Sequence, residues 1–187
     1  MGKVSETIDE RVREFIEAQH LFFVATAPSG SEGRVNLSPK GLDMFRIIDD
    51  RTVAYLDFIG SGVETIAHLR ENGRVVLMFC AFDGPPKIVR LHGRGEALEP
   101  GDARFAALRG RFPAAASTRA IIVVHVERAS DSCGYGVPLY RYEGERPQLG
   151  AWAEKRGAEG LVQYQKDKNG ASIDGLPGLR WVTDDRD

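Results

Sequence analysis

Cysteine is almost missing from this 187-residue chain, with Cys80 and Cys133 the only two. Two cysteines without metal-type spacing cannot make a disulfide framework, so they read as small buried hydrophobes or inert thiols. The four histidines, at 20, 68, 92 and 125, form no HxxxH or HExxH pair, and no metal site is expected. Long apolar runs are lacking too, none approaching the roughly 18 residues needed to cross a bilayer. The first ten residues hold one Lys, three acids and no apolar stretch of the secretory kind. The expectation is a cytoplasmic protein that does not contact a membrane. A dominant charge is absent as well: 25 basic and 27 acidic side chains leave a net charge of −2, with no long block of either sign. Nucleic-acid binders are ordinarily basic with a clustered stripe, so that class is disfavoured. No repeat with a period of about 20 to 50 residues is evident, which excludes a solenoid.

What is present suits one globular domain. The chain is 42% hydrophobic and 28% charged, and folding at this length hides roughly 70% of the surface of the unfolded chain. Ile8, Val12, Phe15 and Ile16 set the rhythm of a one-sided helix over Thr7 to Gln19. Strand signals follow at His20 to Ala27 and Arg34 to Ser38, parted by the turn-forming stretch Pro28 to Gly33, and again at Phe45 to Ile48 and Thr52 to Phe58. Val63 to Glu71 reads as a short helix ending at Asn72-Gly73, where either residue tolerates a positive φ.

Arg74 to Phe82 is nearly all apolar, the pattern of a wall packed on both faces. From Ile88 to Leu98 the chain alternates, with Val89, Leu91, Gly93, Gly95 and Ala97 on one face and Arg90, His92, Arg94 and Glu96 on the other. A helical stretch at Asp102 to Arg109 and a strand at Arg119 to Glu127 complete this part. With about five to seven mostly antiparallel strands and short helices at their ends, the fold class is α+β, a barrel or sandwich. Residues 1–144 form the barrel. Residues 145–187, with helical pieces at Gln148 to Gly157 and Ala158 to Lys168, read as a helical extension of the same domain.

Two motifs bear on chemistry. Ser61 and Glu64 open a helix after a strand with the S-x-x-E spacing of a capping box. The same helix start, Ser61-Gly62 with the Thr65 hydroxyl, is also suited to receive a phosphate. Ser38-Pro39-Lys40-Gly41 leaves a strand through a turn, and Lys40 is either a solvated surface residue or a counter-charge for that phosphate. Asn36 and Ser38 share one strand face, and a flat heterocycle needs such groups beside apolar walls.

The order of segments carries a resemblance. RVNLSPKG, VAYLDFIGSGVET, ENGRVVLMF and IVRLHGRGE resemble successive barrel strands of the pyridoxamine 5′-phosphate oxidase superfamily, whose members bind FMN between the subunits of a dimer. SCGYGVPLY, WAEKRG and SIDGLPGL resemble a bacterial branch of it, and together the segments span residues 8–179. The resemblance implies a split β-barrel, a homodimer and an FMN-binding site at the subunit interface. Asn36, Leu37 and Ser38 would lie along the isoalloxazine and ribityl chain, with Lys40 toward the phosphate. Leu56 and Asp57 would flank the cofactor, and Ser61, followed by Gly62, would hold the phosphate. The true oxidases continue that serine with Arg-Lys, where this chain has Gly62-Val63, and they carry an Arg-x-His pair near the C-terminus, where Arg180 is followed two positions later by Val182. The resemblance therefore implies a flavin-dependent oxidoreductase that is not a pyridoxamine phosphate oxidase in activity, and weaker FMN retention unless Lys40 or another cation compensates.

Flavin chemistry needs no protein nucleophile, and no catalytic residue is nominated. A deazaflavin in the same cleft is a related alternative. The competing class is a non-catalytic protein that holds FMN, haem or another flat ligand, with His92 and His125 as candidate axial ligands.

Overall fold

The computed structural model describes residues 2–183. Eight strands, β1 (Val4–Ser5), β2 (Phe22–Thr26), β3 (Asn36–Lys40), β4 (Phe45–Ile47), β5 (Thr52–Phe58), β6 (Arg74–Cys80), β7 (Ile88–Leu98) and β8 (Thr118–Ser132), are joined by helices α1 (Glu10–Glu17), α2 (Glu64–Glu71) and α3 (Ala103–Arg109). The sheet runs β3-β2-β6-β7-β8-β5-β4, every neighbouring pair antiparallel, and β1 adds to the end of β8. It curls into a split β-barrel, an α+β fold in which β3 and β4 are the two ends of the ladder.

Alternation explains which side faces in. On β7, Val89, Leu91, Gly93 and Gly95 are buried while His92 and Arg94 are exposed. Phe22, Phe45, Phe79 and Tyr55 meet inside the barrel as a cluster of rings with centroids 5.1 to 5.5 Å apart. β6 corrects the sequence expectation of a wall packed on both faces. Val75, Leu77 and Phe79 are buried, but Val76 and Met78 remain partly open. The register sets Leu37 beside Ala25 and Val76, and Pro39 beside Phe23 and Met78, so the outer face at this end of the sheet is apolar.

Helix α1 is shorter than its apolar rhythm because Asp9 caps it, its carboxylate accepting from the Val12 N–H at 2.9 Å. Strand β3 runs two residues past the expected Ser38 and includes Pro39. That is tolerated because β3 pairs only with β2 and needs no donor on its other edge. β8 extends beyond Glu127 to Ser132, a residue bulged where the register shifts between His92 and Gly93. The two-residue β1 and the short helix α5 (Arg180–Thr183) were too brief to register as periodic pattern.

The C-terminal extension packs onto the barrel. Helix α4 (Gln148–Lys168) is broken at Gly157, whose φ of 67° matches the boundary expected between two helical pieces. Its Ala153 and Leu161 form a second small core with Ile59, and the Arg156 guanidinium lies over the Trp152 and Tyr164 rings at 5.1 and 4.6 Å. The segment after α4 is pinned at several points. Asp174 accepts from the Arg34 N–H at 2.7 Å, Glu99 from the Arg180 N–H at 2.9 Å, and the Gly178 carbonyl from Arg70.

Gly178 is where this packing leaves least room, because a Cβ there would overlap the Asn169 carbonyl oxygen and crowd Val63. Gly178→Ala is expected to destabilise the protein by about 1 to 3 kcal/mol. The melting temperature should fall by about 2–4 °C per kcal/mol for a chain of this length. A thermal melt of the variant checks this, and an unchanged midpoint would mean that the extension is not tightly docked.

Candidate functional site

The inward face of β3 presents Asn36, Ser38 and Lys40 in a row, about 7 Å between successive members. Each meets different surroundings. The Asn36 amide donates to Thr26 Oγ1 at 3.1 Å and to Thr65 Oγ1 at 3.0 Å, and Thr26 Oγ1 lies 2.9 Å from His68 Nδ1. This polar chain ties β2 and β3 to α2. His68 is fully buried, and that burial holds its pKa below the ordinary imidazole value. Ser38 Oγ is buried without a hydrogen-bond partner among the described residues.

Lys40, at the end of the row, reaches the Asp57 carboxylate, Nζ to Oδ1 at 3.9 Å. Asp57 is 1% exposed and is held by Arg119, whose Nε donates to Oδ2 at 2.7 Å. Arg119 uses its Nη1 to donate to the Gly62 carbonyl at 2.8 Å. One connected group thus runs from β3 through β5 and β8 to the loop before α2. Tyr55, two residues before Asp57, is fully buried, and its hydroxyl also lacks a partner among the described residues. Burial, with the charge of Asp57 adding to it, pushes that phenol well above its ordinary pKa.

The loop itself is open: Ser61 and Gly62 are exposed. The expected capping box does not form. α2 begins at Glu64 with Val63 in the cap position and no side-chain cap, so Ser61 stands two positions too early. Glu64 turns away instead and accepts from the Ile173 N–H at 3.2 Å, its other oxygen lying against Gly62. Ser61 is left without a hydrogen bond among the described residues.

Of the residues singled out from the sequence, the structure brings Lys40, Asp57 and Gly62 together through Arg119, and Asn36 with Thr65. Ser61 sits beside Gly62 on the same loop. Leu37 does not join them: it lies on the opposite face of β3 and is 64% exposed, because side chains alternate along a strand. The Leu56 side chain is sealed in the core at 0% exposure, on the other face of β5 from Asp57. His92 and His125 stand on exposed positions of β7 and β8, and His125 Nε2 is 3.5 Å from Glu96. A cavity of about 760 Å³ touches Pro39 and Gly41 on either side of Lys40 and ends at the stacked rings of His20 and Tyr142, 3.7 Å apart.

Sequence reasoning missed Arg119 and Asn169. Arg119 reads as the start of a strand, and Asn169 only follows the helical piece that ends at Lys168. Asn169 is fully buried and its Nδ2 donates to the Gly60 carbonyl at 2.9 Å, a contact across 109 positions that no local pattern announces.

Residues 8–133 match the family described as pyridoxamine 5′-phosphate oxidase. Over 97% of its length the chain is 40% identical to a pyridoxamine 5′-phosphate oxidase family protein, ustO of Aspergillus flavus, of which it covers 79%. Among solved structures it is similar to HupZ of Group A Streptococcus, with 25% identity and a TM-score of 0.52 over 67% of this chain and 99% of that one. A looser likeness, with 21% identity and a TM-score of 0.47, is to an FMN-binding protein of Syntrophomonas wolfei, over 71% of this chain and 87% of that one. Sheet order, matched segment and a relative alike over 97% of this chain agree, and the chain belongs to the pyridoxamine 5′-phosphate oxidase family.

Proposed function

We propose that this protein binds a flavin at the Gly60–Val63 loop and the adjoining end of β3, and acts as a flavin-dependent oxidoreductase. The observation that carries this is the connected group Lys40–Asp57–Arg119–Gly62 behind an exposed Ser61 with no partner of its own among the described residues. Family membership supplies the cofactor class. When bound, a flavin supplies hydride or electron transfer. The protein's part is to hold it: Ser61 and Lys40 toward its phosphate, Asn36 and Ser38 along β3, apolar walls to exclude water.

The fit to FMN is good in hydrogen-bonding groups and poor in charge. Around the loop, Lys40 and Arg119 are opposed by Asp57 and Glu64, which leaves no net positive charge for a phosphate dianion. Arg119 is a cation near the position where the oxidases carry Arg-Lys, but Asp57 occupies it. Lys40, with a side chain 21% exposed and only loosely tied to Asp57, is the group free to turn toward an anion. Lys40→Ala and Ser61→Ala are therefore expected to weaken FMN more than riboflavin. A charge-assisted contact of about 1.5 kcal/mol or more corresponds to at least a tenfold rise in the FMN Kd, against less than about threefold for riboflavin. Titration calorimetry with both flavins reads the difference, and equal losses would place the phosphate elsewhere. The absorption spectrum separates the classes, because a Soret band in place of the flavin doublet would favour the haem-holding alternative.

The protein is proposed to act as a homodimer with the flavin between subunits. The apolar outer face formed by Leu37, Ala25, Val76, Pro39, Phe23 and Met78 supports this, since a second copy would remove it from water. Sedimentation at micromolar concentration should give a dimer for the native chain and a monomer for Leu37→Glu. A flavin-loaded native monomer would overturn the arrangement.

The substrate is proposed to be other than pyridoxamine phosphate, which brings a second phosphate to a site already short of cations. Val182, where the oxidases place the histidine of their Arg-x-His pair, is buried at 5% exposure. The flavin-loaded protein should form no pyridoxal phosphate with oxygen. Turnover at about 1 per second or faster would show the opposite.

A further inference from the structure

We propose that Arg119 and Asn169 are positioning residues that shape the Gly60–Val63 loop for an anionic group, an inference that rests on the flavin site proposed above. The two side chains hold the carbonyls on either side of Ser61. Asn169 Nδ2 donates to the Gly60 oxygen at 2.9 Å and Arg119 Nη1 to the Gly62 oxygen at 2.8 Å. Both residues are buried, Arg119 at 5% and Asn169 at 0% exposure. A peptide unit is planar and trans, so its N–H points opposite to its carbonyl. Drawing the Gly60 and Gly62 oxygens inward turns the N–H groups of Ser61 and Val63 the other way, away from the two clamps. N–H groups of nearby residues aimed to one side make a concavity that receives anions. The exposed Ser61 hydroxyl stands between them.

The backbone is specifically arranged to bring Arg119 to this task. β5 and β8 pair Asp57 with Ala120 and Phe58 with Thr118, which leaves Arg119 as the extra residue of a β-bulge. A bulge re-aims the side chain it carries. Here the guanidinium is directed under the loop, where the Asp57 carboxylate fixes it through Nε and, at 2.7 Å, through Nη2. Asn169 comes from a distant part of the chain, at the C-terminal cap of α4, with its backbone oxygen taken by the Leu179 N–H at 2.9 Å. Its Oδ1 has no partner among the described residues, so the Gly60 contact is what its side chain contributes.

Two variants isolate the clamps. Arg119→Lys keeps the charge beside Asp57 but lacks the planar fork that reaches two acceptors at once. Asn169→Leu keeps the volume and the backbone contacts and removes only the donor to Gly60. The ratio of riboflavin Kd to FMN Kd, measured for the purified full chain by titration calorimetry, reports the share of binding due to the phosphate. Each variant is expected to lower that ratio about tenfold while riboflavin stays within about threefold of the native chain. An unchanged ratio in both variants, or equal weakening of both flavins, would overturn the inference and leave Arg119 and Asn169 as core residues only. Should Arg119→Lys fail to fold, Asp57→Leu with Arg119→Met replaces the ion pair by apolar groups of similar size, and a native ratio in that double variant overturns the Arg119 clamp. The native chain and Ser61→Ala separate this failure from failure of the site. A native ratio near one removes the phosphate from the loop altogether, whereas a native preference lost in Ser61→Ala but kept in both clamp variants removes only the clamps.

Discussion

A carboxylate sealed inside a barrel has to be neutralised, and that requirement organises the candidate site of this protein. Asp57 is 1% exposed, and leaving such a charge unpaired costs several kcal/mol. Arg119 meets it at 2.7 Å, Lys40 approaches from the edge strand, and the donor that Arg119 has to spare goes to the loop before α2. A buried ion pair is seldom more stable than apolar residues of the same volume. Its presence here is better understood as fixing where three strands and a loop stand relative to one another.

The same pair limits what the site can attract. A guanidinium bound to a carboxylate offers little field to a passing anion, and Glu64 beside Gly62 subtracts further. The proposed binding of a phosphate at this loop would therefore depend on the direction of N–H groups and a hydroxyl rather than on net charge, with Lys40, 3.9 Å from Asp57, as the nearby cation least tightly paired.

Much of the fold was legible in the sequence because it is written in short periods. Thr52 to Phe58 and Ile88 to Leu98 are strands with the limits read from the sequence, the second by its alternation, and the helix before Asn72-Gly73 stops where a positive φ at Gly73, 70°, becomes available. The site was legible only in part. Lys40 and Gly62 stood out in local motifs and Asp57 came through resemblance, but their connection depends on Arg119, which a bulge turns into place. A bulge is a one-residue change of register between strands more than 60 positions apart, and nothing local records it. The capping box failed for a related reason. The spacing of Ser61 and Glu64 was right, but the loop was held by distant side chains in a path that starts the helix later.

The grip of Asn169 on Gly60 separates two things usually taken together, the segment that the family model matches and the set of contacts that hold the loop. The segment matching the family ends at residue 133, and it contains the barrel, the loop and Arg119. The other hand on the loop belongs to residue 169, carried in by α4 and locked by the turn around Gly178. A relative that stops at the barrel inherits Ser61's neighbourhood with one side of it unheld. Likeness over the shared segment is thus a poor guide to how stiff this loop is, and relatives of equal similarity can differ in it by the presence of a tail.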